Sequence, residues 1–159
     1  QNRKGEFNVP FGKRKHPTIC DEENIMAVYE VLKNHNVIFK YGNYKDIDDL
    51  IDEDTFVYMD PPYRPLSKTA GFTDYSKEPF NEECQIELSK WFYFLNESKN
   101  AKLMLSNSDP DNKCTDDTIF YYNYEKFKRN IIKVKATRNI NSKRNKRGAI
   151  KELLIKKYK

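Results

Sequence analysis

An open α/β sheet, parallel in its middle and closed by an antiparallel pair, is the fold class the sequence predicts, and three observations predict it. Two short runs, Thr55–Met59 and Lys102–Leu105, have the length and apolar content of buried strands. Between them, residues 82–98 carry Cys84, Leu88, Trp91, Phe92 and Leu95 at helical spacing. Further on, Ile131–Thr137 and Glu152–Tyr158 read as a closing pair of strands joined by the basic loop Arg138–Gly148. Strand, crossover helix and strand form a right-handed βαβ unit, so the first two strands are expected to run parallel.

The other elements follow in chain order. Residues 1–20 show neither a helical nor a strand period and contain Gly5, Pro10, Gly12 and Pro17, which predicts a looped or hairpin segment. Asp21 can cap a helix over 22–34 that sets Ile25, Val28, Tyr29 and Leu32 on one face. Val37-Ile38-Phe39 reads as a short strand, and Asp46 to Asp52 as an acidic helical turn. The strand at 55–59 must stop at Asp60-Pro61-Pro62, because two prolines cannot continue a central ladder. The next strand ends at Ser106-Asn107. Sites in such sheets lie at the carboxyl ends of the strands, here the loops 60–80, 106–118 and 138–148.

With 159 residues the chain is long enough for one domain, or one domain and a fragment of another. Charged residues reach 33% and the hydrophobic set only 38%, yet aromatic residues at 14% argue against a disordered chain. The five glycines, at 5, 12, 42, 71 and 148, lie too far apart for either Gly-rich phosphate loop. Cys20, Cys84 and Cys114 are odd in number and unpatterned, and His16 and His35 belong to no ligand motif, so no metal site and no disulfide framework is expected. No run of 18 apolar residues and no apolar leader occurs, which predicts no membrane span and a reducing, cytoplasmic setting.

Charge is unevenly placed. Residues 126–159 hold 14 Lys/Arg against Glu152 alone, or +13. Residues 1–20 hold five against Glu6, or +4, so a net +5 leaves −12 for the middle. Basic ends around an acidic middle suit either a solvated surface or a polyanion gripped from two sides, since Lys and Arg that neutralise phosphates release counterions.

Asp60-Pro61-Pro62-Tyr63 is the most specific signal. Asp60 can accept one N–H of an amine attached to an aromatic base, and the Pro61 carbonyl, stiffened by Pro62, can accept the other. Two acceptors turn the nitrogen lone pair out of conjugation and toward an electrophile. Tyr63 offers a face on which an extruded base stacks, worth about 1–3 kcal/mol. The alternative is a rigid turn with Tyr63 packed in the core.

With its flanks, this segment resembles DNA adenine-N6 methyltransferases of the GATC-modifying group (D12 class). Phe56-Val-Tyr-Met-Asp60-Pro-Pro-Tyr63, then Phe72-Thr-x-Tyr75 and Phe80, is similar to the group's catalytic motif. Gly5-Glu-Phe-Asn-Val-Pro10-Phe-Gly12 is similar to the end of its target-recognition region. Leu105-Ser-Asn107, Arg138-x-Ile-Asn141-Ser142 and Glu152-Leu-Leu-Ile155 fit its later motifs. The resemblance implies a partial S-adenosylmethionine-dependent, Rossmann-like methyltransferase sheet. Residues 1–20 would end the target-recognition region and 21–159 would form the C-terminal part of the catalytic domain. The family's Phe-x-Gly-x-Gly donor element does not occur, so the chain is expected to be the C-terminal portion of a longer enzyme, inactive without its N-terminal donor-binding region.

The resemblance further implies S-adenosylmethionine as donor, bordered by Asp60, double-stranded DNA as substrate, and a restriction–modification setting. The reaction is direct attack by adenine N6, with Asp60, Pro61, Pro62 and Tyr63 holding the base and no cysteine required. Phe72 and Tyr75 either close over the flipped base or fill core, and Asn107 either reaches the base edge or ties down the neighbouring loop. Pro10 and Arg14 lie in the recognition stretch, where Arg14 suits guanine or a phosphate, while Lys13 and Lys15 suit phosphates. Arg138, Lys143, Arg144, Lys146 and Arg147 read as a backbone clamp. Cytosine N4 or an RNA amino group remains open to the same acceptor geometry, and a non-catalytic DNA-binding fragment is the reading of another class.

Overall fold

The computed structural model describes residues 20–64, 80–112, 118–137 and 149–158. It divides into two units, Gln1–Gly42 and Asn43–Lys159. In the first, helix α1 (Glu22–Asn34) forms where the sequence predicts it. The Asp21 carboxylate accepts from the Asn24 backbone N–H at 3.2 Å, and Glu22, Glu23 and Lys33 complement the helix dipole at its two ends. The Ile25, Val28, Tyr29 and Leu32 stripe is exposed. Val37–Phe39 does not form the predicted strand; its three side chains are exposed on irregular backbone. β-branched and aromatic residues favour a strand only where a neighbour pairs with them, and no described strand does so here.

The second unit holds a four-stranded sheet of mixed direction. Strands β1 (Phe56–Met59), β2 (Lys102–Ser108), β3 (Ile131–Thr137) and β4 (Ala149–Lys157) lie in the order β1-β2-β4-β3. β1 and β2 are parallel, as the crossover between them requires, and β4 runs antiparallel to both β2 and β3. The crossover is helix α2 (Glu82–Phe94), capped by the Asn81 side chain on the Cys84 N–H at 3.0 Å. A widened turn, Leu95–Lys99, ends it at Asn100, whose φ of 52° a side chain of this type tolerates. Lys157 of β4 locks that turn by donating to the Asn100 carbonyl at 3.0 Å and to its Oδ1 at 2.7 Å.

The core forms between α2 and the sheet. Leu88, Trp91, Phe92 and Leu95 meet Val57 and Met59 of β1, Leu103 and Leu105 of β2, and Leu153 and Ile155 of β4. Each such side chain contributes about 1.5–3 kcal/mol by leaving water. A short helix, α3 (Ile119–Asn123), adds Phe120 and Tyr124, and Phe92 meets Tyr124 edge to face with ring centres 5.3 Å apart. Among the described residues no helix is long and apolar enough to cross a membrane.

Candidate active site

Strand register brings the polar residues together. β1 and β2 run parallel with Met59 opposite Leu105, so Asp60 and Ser106 leave the same edge side by side. Ser106 Oγ donates to Asp60 Oδ1 at 2.9 Å and accepts from the Tyr58 hydroxyl at 3.1 Å. Two hydroxyls in series therefore satisfy one carboxylate oxygen. Asp60 is exposed, and its Oδ2 has no hydrogen-bond partner among the described residues.

Pro61 and Pro62 follow with no backbone N–H to offer, which ends the ladder. Tyr63 then turns back over the sheet, half-buried, and its hydroxyl donates to Glu152 Oε2 of β4 at 3.4 Å. Burial raises the pKa of this phenol, with further upward pushes from the Glu152 and Asp60 carboxylates, against a lowering by the Ser106 hydroxyl that is smaller than the effect of burial. Tyr63 is thus a neutral donor near neutral pH.

Behind this corner the end of β2 is a buried polar strip of Ser106, Asn107, Ser108 and Asp109. Buried polar groups are stable only when bonded, and these bonds fasten the Asp60-Pro61-Pro62-Tyr63 corner. Asn107 Oδ1 accepts from the Arg64 and Ser108 backbone N–H groups at 3.0 and 2.9 Å. Its Nδ2 donates to Gln85 Oε1 at 3.1 Å, and Gln85 Nε2 donates to the Pro62 carbonyl at 3.0 Å. Ser108 Oγ donates to the Arg64 carbonyl at 2.8 Å. Asp109 Oδ1 accepts from the Asp111 N–H at 3.1 Å, and its Oδ2 lies 3.3 Å from Lys133 Nζ without hydrogen-bond alignment. Lys133 also bonds Asp111, and these two acids hold its ammonium pKa above the usual lysine range.

A cavity of about 260 Å³ opens beside Asp60. Its walls are Tyr44 and Ile47 from the 3₁₀ turn Tyr44–Leu50, Val57 to Met59 from β1, and Phe80, Leu88 and Trp91 from α2 and its approach. Asp60, Pro61 and Pro62 complete the lining. Tyr44 and Trp91 meet edge to face at 4.9 Å, and Trp91 Nε1 donates to Asp48 Oδ1 at 2.7 Å. The predicted acidic turn is therefore the support of one wall.

Of the residues singled out in the sequence, Asp60, Pro61, Pro62, Tyr63 and Asn107 come together here. Phe72, Tyr75, Pro10, Lys13, Arg14, Lys15, Arg138, Lys143, Arg144, Lys146 and Arg147 lie outside the described residues. Sequence reasoning missed Ser106, Gln85, Tyr44 and Glu152. Gln85 did carry a signal, a polar side chain in line with Leu88 and Phe92 on the buried face of a helix, and so did the polar run closing a buried strand. Among the described residues no group of three or more His, Cys, Asp or Glu side chains is placed to hold a metal ion.

The comparisons agree with one another. The family described as D12 class N6 adenine-specific DNA methyltransferase matches residues 1–140. The type II methyltransferase M.MjaIII of Methanocaldococcus jannaschii is 47% identical over 158 residues, 99% of this chain and 51% of that protein. The type II methyltransferase M1.LlaDCHI of Lactococcus lactis subsp. cremoris is 38% identical over 99% of this chain and 52% of its own length. The DNA adenine methylase of Escherichia coli (strain K12) is 35% identical over 96% and 50%. The chain spans about half the length of the curated relatives it matches. With 140 of its residues matched and the Asp60 corner built as described, the chain belongs to the D12 class N6 adenine-specific DNA methyltransferase family.

Proposed function

We propose that the protein containing this chain is a cytoplasmic DNA adenine-N6 methyltransferase that moves a methyl group from S-adenosylmethionine to adenine N6 in duplex DNA, at GATC, in a restriction–modification setting. In this reading residues 1–20 end the target-recognition region, and 21–159 are the C-terminal part of a Rossmann-like catalytic domain whose donor-binding part lies N-terminal to it. The observation that carries the proposal is the Asp60 carboxylate, bonded through one oxygen to Ser106 and, among the described residues, unbonded at the other, beside a ring-walled cavity.

Asp60 Oδ2 accepts one N–H of the flipped adenine's amine and the Pro61 carbonyl accepts the second. The nitrogen lone pair is then directed away from the ring, and no covalent bond to the enzyme forms. Tyr63 supplies a stacking face. Asn107, buried with both ends of its amide engaged, serves as the tie rather than the base reader. The cavity suits the donor in chemistry: Tyr44, Phe80 and Trp91 present rings to a flat heterocycle, and Asp60 presents negative charge to a cation. When bound, the donor supplies an electrophilic methyl on a positively charged sulfur.

Phe72 and Tyr75 close over the base. Arg14 and Pro10 read the recognition site, and Lys13, Lys15, Arg138, Lys143, Arg144 and Arg147 clamp phosphates. DNA affinity of the full-length protein then falls steeply with salt; a flat response between 50 and 200 mM, roughly the interval over which several phosphate contacts lose their counterion term, contradicts the clamp. The activity is tested by incubating the full-length protein with labelled donor and duplexes with and without GATC. N6-methyladenine confined to the GATC duplex is the expected product. N4-methylcytosine, or no transfer, refutes the assignment.

A further inference from the structure

We propose that Gln85 is a positioning residue for the reaction, holding the peptide before Tyr63 directly and the peptide after it through Asn107. The inference rests on the function proposed above.

The geometry carries it. Gln85 Nε2 donates to the Pro62 carbonyl at 3.0 Å, which fixes the peptide before Tyr63. Asn107 Oδ1 accepts from the Arg64 N–H at 3.0 Å, which fixes the peptide after Tyr63. The two side chains are joined to each other by Asn107 Nδ2 donating to Gln85 Oε1 at 3.1 Å. Both are buried, Gln85 2% exposed and Asn107 0%. Tyr63 thus sits in the jaws of a two-amide chain that holds the backbone on either side.

The direction of this chain is forced. A carbonyl can only accept and a backbone N–H can only donate, so Pro62 O at one end and Arg64 N–H at the other permit a single orientation of both amides. The corner needs an outside donor because Pro61 and Pro62 have fixed φ but no N–H; the ψ of Pro62 is the main torsion left between Pro61 and Tyr63. By fixing the Pro62 carbonyl, Gln85 sets how the Tyr63 ring lies relative to the Asp60-Pro61 segment. Displacement of a reacting group by about 1 Å can cost on the order of 10²-fold in rate.

The test uses the full-length protein. Gln85→Glu preserves shape and can still accept from Asn107, but its carboxylate cannot donate to Pro62. Single-turnover methyl transfer is expected to fall on the order of 10–10²-fold. DNA affinity should stay within about twofold, and the deficit relative to wild type should narrow as pH falls and the glutamate protonates. Amide hydrogen exchange at Arg64 is expected to speed up in the same variant. Gln85→Met fills the site without hydrogen bonding, so it should show the loss of rate and the faster Arg64 exchange but no pH recovery. A wild-type rate in Gln85→Met, or a loss that follows DNA affinity alone, overturns the proposal. If wild type itself transfers no methyl group, the proposed function fails separately, and Arg64 exchange alone decides on the clamp: unchanged protection in both variants refutes it.

Discussion

β1 and β2 are neighbouring strands and a carboxylate follows each, Asp60 after Met59 and beside Ser106, Asp109 after Ser108 and three positions further along β2, yet the two have opposite surroundings. Asp60 is exposed, with one oxygen bonded to Ser106 and the other without a hydrogen-bond partner among the described residues. Asp109 is fully buried, bonded to the Asp111 N–H and paired with Lys133. The exposed acid can meet a substrate, whereas the buried one holds the scaffold under it. Between the two acids, the side chains of Ser106, Asn107 and Ser108 bond Asp60, Gln85 and the Arg64 backbone in turn.

The sharpest way to break this comparison is to remove each acid's role in turn within the full-length protein. Asp60→Ala is expected to reduce methyl transfer by more than about 10³-fold, beyond the effect of one lost neutral hydrogen bond, with thermal stability and DNA affinity nearly unchanged. A variant keeping most of its turnover contradicts the role. Ser106→Ala comes next. It removes a hydroxyl donor to a charged acceptor, worth about 1.5–3 kcal/mol, so transfer should slow on the order of 10–10²-fold in single-turnover assays.

Lys133→Met sharpens the other side. It leaves the buried Asp109 without its cation, and because the Lys133 side chain is about one-third exposed the cost is about 1–3 kcal/mol of stability, below that of a fully buried pair. Denaturant unfolding should show that loss while single-turnover transfer stays close to wild type. The Lys133 pKa, raised first by its bond to Asp111 and then by Asp109, gives this three-residue cluster a pH signature: its contribution is complete below the unfolded lysine pKa, near 10.4, and is lost as pH rises through the higher folded value. Stability that is flat above pH 10 relative to Lys133→Met denies the cluster. The smallest effect is expected for Tyr63→Phe, a loss of only a few-fold in transfer, because the hydroxyl's bond to Glu152 is long at 3.4 Å while the ring remains.

The end of β1 was legible in the sequence and the end of β2 was not. Asp-Pro-Pro-Tyr after an apolar run is rare and chemically specific. Ser-Asn-Ser-Asp is common in turns, and only the pairing of β2 with β1 and β4 makes it a buried strip. Helices α1 and α2 were readable because their apolar spacing is local, although α2 gives way to a widened turn at Leu95, short of the predicted 98. The closing strands were found, with β4 beginning at Ala149 rather than 152. Val37–Phe39 misled because strand propensity is expressed only against a neighbour, and α3 was missed because Ile119 to Tyr122 are residues that favour strands. Phe120 and Tyr124 nonetheless pack one helical turn apart. Gln85 was hidden for a related reason: its partners, Pro62 and Asn107, lie 23 and 22 residues away.

The most direct test of the account is the product formed on a GATC duplex by the full-length protein and by its Asp60→Asn variant, at DNA concentrations that saturate binding. Digestion and nucleoside analysis should find N6-methyladenine with the wild-type protein and almost none with the variant, although both bind the duplex equally. Equal yields from the two, or a wild-type product methylated anywhere but on an exocyclic amine, contradict the claim that this carboxylate holds the reacting nitrogen.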